Sequence, residues 1–373
     1  MGVHFFQPIQ TQANHVGMEP FMSRSIGCRV ILFFILTAAL SGCQSASYYA
    51  QAILGQVQIM SAKRPVAELI EDPGTPPAVK EKLAYMLALR EFAREELLLP
   101  VGRAYQDYAD IQRPFVVWNV FAAPELSLEP KTWCYPVVGC ASYRGYFSRG
   151  NAEDYANTLR QEGYDVSIAG VLAYSTIGWF DDPLLSTFLQ LDNPRLSALI
   201  FHELAHRVLY VADDTDFNES FATAVEEEGM RRWAAACQTP EILAGHERRQ
   251  KLRDTFLSLV SRRRHELHAI FASDLSPERK KVEKAAVFGA LLSDFESEKQ
   301  RNPAMAIYTE WFASGLNNAA LVPLAAYHDL APAFRHILNR SDGDLAAFYE
   351  ECRRLSRLPP AERKERMHQS GIQ

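Results

Sequence analysis

The chain has 373 residues, enough for one large domain or two modest ones. Hydrophobic residues make up 48% and charged residues 23%, a globular balance that excludes a disordered tail, a collagen-like fibre and a multi-span transporter. A formal net charge of −6 lacks the basic excess of a nucleic-acid binder, so no nucleic-acid partner is expected.

In chain order, the first feature is the apolar run Val30-Ile-Leu-Phe-Phe-Ile-Leu-Thr-Ala-Ala-Leu40, preceded by Arg24 and Arg29 and followed by Ser41-Gly42. It is shorter than the roughly 20 apolar residues of a spanning helix. Basic flank, apolar core and small-residue exit describe an export signal over 1–42. The exit, Leu40-Ser41-Gly42-Cys43, resembles the bacterial lipobox. That resemblance implies cleavage before Cys43, a lipid on Cys43 and, with Gln44 next, an outer-membrane position facing the periplasm. An uncleaved signal anchor is the alternative. The stretch before Met22 is long for a signal, which makes Met22 a candidate start.

A helix is predicted over 44–62, close to the anchor, and the turn cluster Asp72-Pro-Gly-Thr-Pro-Pro77 separates it from an amphipathic helix over 76–98. A β-rich middle follows, with strands at Phe115–Val120, Tyr143–Phe147 and Val171–Ser175, each short, aromatic or β-branched. From Asn193 the chain reads as helices almost to its end. Strands and then helices, without regular alternation, give an α+β fold. It is expected as a single domain over 43–373, helical over 44–110, β-containing over 111–190 and helical over 191–373. Cys134 and Cys140 flank a Pro- and Gly-containing loop and suit a local disulfide in an oxidising compartment. Cys237 and Cys352 could pair or stay as thiols.

The segment that carries chemistry is Phe201-His202-Glu203-Leu204-Ala205-His206. Asn193-Pro194 reads as a helix start with Asn193 as the cap, and the apolar residues from Leu196 to Val211 predict a helix buried all round. His202 and His206, four apart, project from one face and can share a metal. Glu203 lies about 100° around that helix, placed to act on a water without being a ligand. Ordinary hydrogen bonds could satisfy these groups, but one zinc ion would partner both buried rings at once. A catalytic zinc takes three protein ligands, and Glu219, at the start of the next helix, is the expected third. Two other readings stay open: Asp216-x-x-Glu219 also fits a capping box, and Glu226, two turns on, is a fallback ligand. Glu227 and Glu228 read as solvated. His265 and His268 have the wrong spacing and sit in a charged, exposed helix.

A His-Glu-x-x-His helix followed by Asn218-Glu-Ser-Phe-Ala222 resembles the glutamate-zincin pattern, with a shorter spacing to Glu219 than in its thermolysin-like members. The chain is also similar to the family of predicted zinc aminopeptidases of bacterial lipoproteins. That similarity rests on Tyr143-Arg-Gly-Tyr-Phe147, Ala173-Tyr-Ser-Thr-Ile-Gly-Trp-Phe-Asp-Asp-Pro183, the metal-binding helix, Asp214–Ala222, Leu316-Asn-Asn-Ala319 and Tyr327. It implies a zincin-like fold with a small mixed or antiparallel sheet, an edge strand near Gly170–Thr176 over the metal helix, and one Zn2+ per chain on His202, His206 and Glu219.

The expected activity is hydrolysis of peptide bonds, most simply as an aminopeptidase, with Glu203 as general base. Tyr143, Tyr146, Tyr174 and Tyr327 are candidate oxyanion donors. Asp181, Asp182, Asn317 and Asn318 are candidate acceptors for a substrate ammonium. A zinc endopeptidase of the cell envelope, or an envelope-binding lipoprotein with a structural zinc, are the alternatives. The sequence leaves oligomeric state and preferred residue open.

Overall fold

The computed structural model describes residues 47–135, 139–173, 181–212, 214–324 and 330–371. The expectations for Cys43, Tyr174 and Tyr327 lie outside the described residues. The chain divides into two units. Of the first, Met1–Ala50, residues 47–50 are described and are helical.

The second unit, Gln51–Gln373, begins with helix α1 over 51–61. There follow β1 (Lys63–Pro65), α2 (Val66–Glu71) and α3 (Pro77–Glu95), then the strands β2 (Asp107–Ala109), β3 (Val117–Pro124), β4 (Trp133–Tyr135), β5 (Gly139–Ala141) and β6 (Arg144–Tyr146). Helix α4 (Arg149–Gln161), β7 (Tyr164–Val171) and β8 (Leu184–Leu185) complete the β-containing part. The rest is helical: α5 (Asn193–Ala205), α6 (Thr215–Ala236), α7 (Pro240–Ala272), α8 (Pro277–Arg301), α9 (Thr309–Ala313), α10 (Ala331–Arg340), α11 (Leu345–Ser356) and α12 (Pro360–Gly371). Proline sits in the first turn of α3, α5, α7, α8 and α10, where its missing N–H costs no helical hydrogen bond. The architecture is thus mixed α+β, with small sheets and a mostly helical C-terminal half.

The strands form two three-stranded sheets, β1-β2-β8 and β6-β3-β7, and the hairpin β4-β5. In the second sheet β3 is central and antiparallel to both neighbours, in a register running from Val117 opposite Val171 to Pro124 opposite Tyr164. The strand predicted over 115–120 therefore runs later, to Pro124. Ala122 and Ala123 are wholly buried, and small side chains let helix α4 and the 3-10 turn Asn318–Leu324 pack closely on the sheet. The strand predicted at Val171–Ser175 is instead Tyr164–Val171, at the edge of its sheet; residues 174–180 lie outside the described ones. A disulfide joins Cys134 of β4 to Cys140 of β5. Cys237 and Cys352 are separate thiols, exposed and buried.

The main core gathers Leu196, Ile200, Phe201 and Leu204 of α5, Phe217, Phe221 and Val225 of α6, Phe334 of α10 and Phe348 of α11. A second cluster joins α7, α8 and α9 through Phe256, Leu291, Phe295 and Phe312. At the close approach of α5 to α6, a Cβ at Gly229 would lie 2.7 Å from the ring of Phe201.

Candidate metal centre

Helix α5 starts one residue earlier than its sequence suggests. Asp192 is the cap, its Oδ1 accepting from Arg195 N at 2.8 Å; the Asn193 side chain instead accepts from Lys82 Nζ of α3 at 2.6 Å. The helix also ends earlier, at Ala205, with His206 as its C-cap. The apolar residues up to Val211 belong to the connecting loop. Asn218 of α6 closes that loop, its Oδ1 accepting from Val211 N at 2.8 Å and its Nδ2 donating to Val211 O at 2.7 Å. These two bonds satisfy backbone that the predicted helix would have satisfied internally.

The short loop folds α6 back along α5 and brings Glu219 to the two histidines. His202 Nε2 lies 3.2 Å from Glu219 Oε2, and His206 Nε2 lies 3.6 Å from Glu219 Oε1. One ligand atom from each of His202, His206 and Glu219 falls within 4.8 Å of the other two. The cap of α6 is Asp214, whose Oδ1 accepts from Phe217 N at 3.1 Å, so the first turn is tied off by a residue other than Glu219.

Glu226 stands on the far side of His202, its Oε2 3.1 Å from Nδ1. With that carboxylate ionised, Nδ1 is the donor and Nε2 is left to face Glu219. Behind Glu226 is His246 of α7, buried, with Nε2 4.0 Å from Glu226 Oε1. That Nε2, like Nδ1 of His206, has no hydrogen-bond partner among the described residues. His246 was not legible as a site residue: it lies in a charged stretch, and only its burial distinguishes it. Glu228, read as solvated, is buried under bidentate pairing with Arg231 and a bond from Arg232. Glu227 is paired with Arg335 and Gln250.

Electrostatics set the four groups apart. Burial pulls the His202 imidazole down, but the hydrogen bonds and charges of Glu219 and Glu226 outweigh it and carry the ring up to about 10. Burial and the adjacent His202 push His206 down to about 4. Burial raises the Glu203 carboxyl; His202 opposes this, and the charges of Glu219 and Asp182 add to it. Tyr105 is lifted well above the usual phenol range by burial and then by Glu203 and Asp182. Tyr105 adopts φ 62°, a conformation rare for an aromatic residue, and its N–H donates to Asp182 O at 2.8 Å. Nothing in the sequence marked Tyr105. Of the proposed ammonium acceptors, Asp182 is buried and its charge acts on Glu203. Asp181 faces Arg103 at 3.6 Å on the surface.

The remaining candidates serve the sheet. Asn318 is buried, and its Nδ2 donates to the carbonyls of Pro124, Glu125 and Ser127, each at 3.0 Å. Asn317 Nδ2 donates to Val166 O at 3.1 Å. Both tie the 3-10 turn to β3 and β7 through their donor nitrogens. Tyr146 packs in β6 against Tyr155, and Tyr143 rests on Phe121. His265 and His268 are exposed.

Two imidazole nitrogens and a carboxylate oxygen, close together on two helices, form the donor set that zinc takes at hydrolytic sites. The observed His202–Glu219 separation, 3.2 Å, is near the roughly 3.3 Å between ligand atoms of a tetrahedral zinc. The residues fit the metal.

A family model described as "Putative aminopeptidase" matches residues 47–367. No curated protein matches the chain, and no solved structure does.

Proposed function

Since the chain belongs to that aminopeptidase family, we propose that it is a zinc metallopeptidase of zincin-like architecture which removes residues from the free amino terminus of peptides. The observation that carries this reading is the convergence of His202, His206 and Glu219 beside Glu203. His202, His206 and Glu219 hold the metal. Bound there, zinc supplies a Lewis acid that polarises the scissile carbonyl and acidifies a water. Glu203 accepts the proton of the attacking water on a carboxylate oxygen and passes it to the leaving nitrogen. Its raised carboxyl pKa suits it to both halves of that transfer, since a general base works best near the ambient pH. Asp182 is the acceptor we assign to the substrate ammonium, being the acidic candidate whose charge reaches Glu203.

The envelope location belongs to the same proposal. The Cys134–Cys140 disulfide suits an oxidising compartment, and Cys43 supplies the lipid that holds the chain to the outer membrane.

The test is a pair of peptides, identical but for N-terminal acetylation, incubated with zinc-loaded residues 44–373 and followed by mass spectrometry. Sequential loss of N-terminal residues from the free peptide alone is expected, with Glu203→Gln about 100-fold or more slower at equal zinc occupancy. Internal cuts in both peptides would replace the aminopeptidase by an endopeptidase. Bound zinc with no cleavage of a broad peptide library would favour the non-catalytic reading.

A further inference from the structure

Helix α1 is seated the wrong way round for a surface helix. Ile53, Leu54 and Val57 are 63%, 62% and 55% exposed, and Met60 is exposed beside them. At 100° per residue Ile53, Val57 and Met60 share one face, with Leu54 flanking it. The opposite face meets the protein. Ile59 is buried, Gln51 Oε1 accepts from Phe147 N at 3.0 Å, and a Cβ at Gly55 would fall 2.1 Å from the ring of Phe147. Only glycine allows that approach. A helix of a water-soluble surface turns its apolar stripe inward; here small and polar residues and the single Ile59 face inward and the larger apolar stripe faces out.

The surroundings of the stripe narrow its partner. No charged residue occurs between Cys43 and Lys63, so nothing on this face recognises a charged protein surface. Among the described residues no helix is long and apolar enough to cross a membrane. The lipobox cysteine is ten positions before Ile53; with the chain helical from residue 47, the reach is at most about 23 Å. We propose that the Ile53–Leu54–Val57–Met60 face lies in the headgroup region of the bilayer that anchors the chain, as an interfacial helix. The identity of that surface rests on the lipid-anchor reading. The tether makes the second contact intramolecular, so a small apolar face is sufficient. Two attachments hold the domain in one orientation on the membrane, where a lipid alone would leave it swinging.

The test uses residues 44–373, which keep every described residue and carry no lipid, with phosphatidylethanolamine–phosphatidylglycerol vesicles. Flotation of the chain with the vesicles is expected. The triple variant Ile53→Gln, Leu54→Gln, Val57→Gln should partition about tenfold less or weaker still while melting at the parent temperature. A Val57→Trp variant should show indole emission quenched by brominated lipid, which reads insertion directly. A chain that stays unbound at millimolar lipid, the effective concentration that a short tether supplies, with no quenching, overturns the proposal. So does a sedimentation experiment in which the triple variant converts a dimer to a monomer, since the stripe then belongs to a second copy. Acylation of Cys43 is read separately, by mass spectrometry of the protein from cell membranes. Quenching without acylation would retire the anchor and keep the helix on a bilayer; acylation without quenching would retire the helix alone.

Discussion

Glu226 sits between His202 and His246 on three different helices, with an oxygen directed at each ring. A carboxylate in that place fixes which nitrogen of His202 carries the proton and makes the ring a better ligand. Replacing it with glutamine keeps the shape and removes the charge. Zinc affinity of Glu226→Gln is expected to fall about 10–100-fold, measured by chelator competition, with the circular dichroism spectrum unchanged. The sequence could place Glu219 and Glu226 on one helical face, since seven residues are two turns. Periodicity does not tell which carboxylate meets the ligand side of a ring and which meets its back. Tyr105 and His246 were beyond it altogether. A buried tyrosine at positive φ and a histidine brought in by a separate helix have no signature in spacing.

Between elements, the site depends on how closely α5 and α6 approach. Gly229 opens that approach: its missing side chain leaves room for Phe201, one residue before His202, and for Leu97, 2.9 Å from where a Cβ would be. Gly229→Ala is expected to cost about 1–3 kcal/mol through overpacking, read as a lower denaturant midpoint with an unchanged slope. The helices themselves were legible from periodicity and proline placement. Their ends were not, because the bonds that terminate them come from elsewhere. Asn218 claims the backbone of Val211, and Lys82 takes the Asn193 side chain that local rules assign to the cap. The strands shifted for a similar reason: the register of β3 is set by β7, a partner forty or more residues away.

At the scale of the molecule, one ion cluster joins the helical half to the end of α3. Glu228 accepts from Arg231 and Arg232, and Arg232 donates onward to Glu96 O after α3 and to Gly343 O between α10 and α11. Burial raises the Glu228 carboxyl, but the two guanidinium groups outweigh it and hold it below its ordinary 4.5. A depressed folded-state pKa means that the contribution is complete above about 4.5 and drains away as pH falls through the lower folded value. Glu228→Gln should therefore lose about 1–2 kcal/mol at neutral pH, the lower part of the usual range because Arg231 is open to solvent. Denaturant titrations in acid should bring variant and parent together as the parent's own carboxylate protonates. The α+β division was readable from residue types, since β-branched and aromatic runs precede the helical periodicity. The order β6-β3-β7 was not, for strand neighbours are chosen by packing across the fold.

Helix α12 reaches back to α6, the helix that carries Glu219. Its Arg363, buried, pairs with Asp214 at 2.7 Å, and Asp214 is the cap that starts α6. The two residues are 149 positions apart. At the pace of a ribosome that interval is about 7–30 s, during which His202, His206 and Glu219 already exist as covalent chain while the residue that locks the base of Glu219's helix does not. The proposed ligands are among the middle words of the message and the clasp is near its last, so a nascent chain carries those residues for many seconds before it can hold them still.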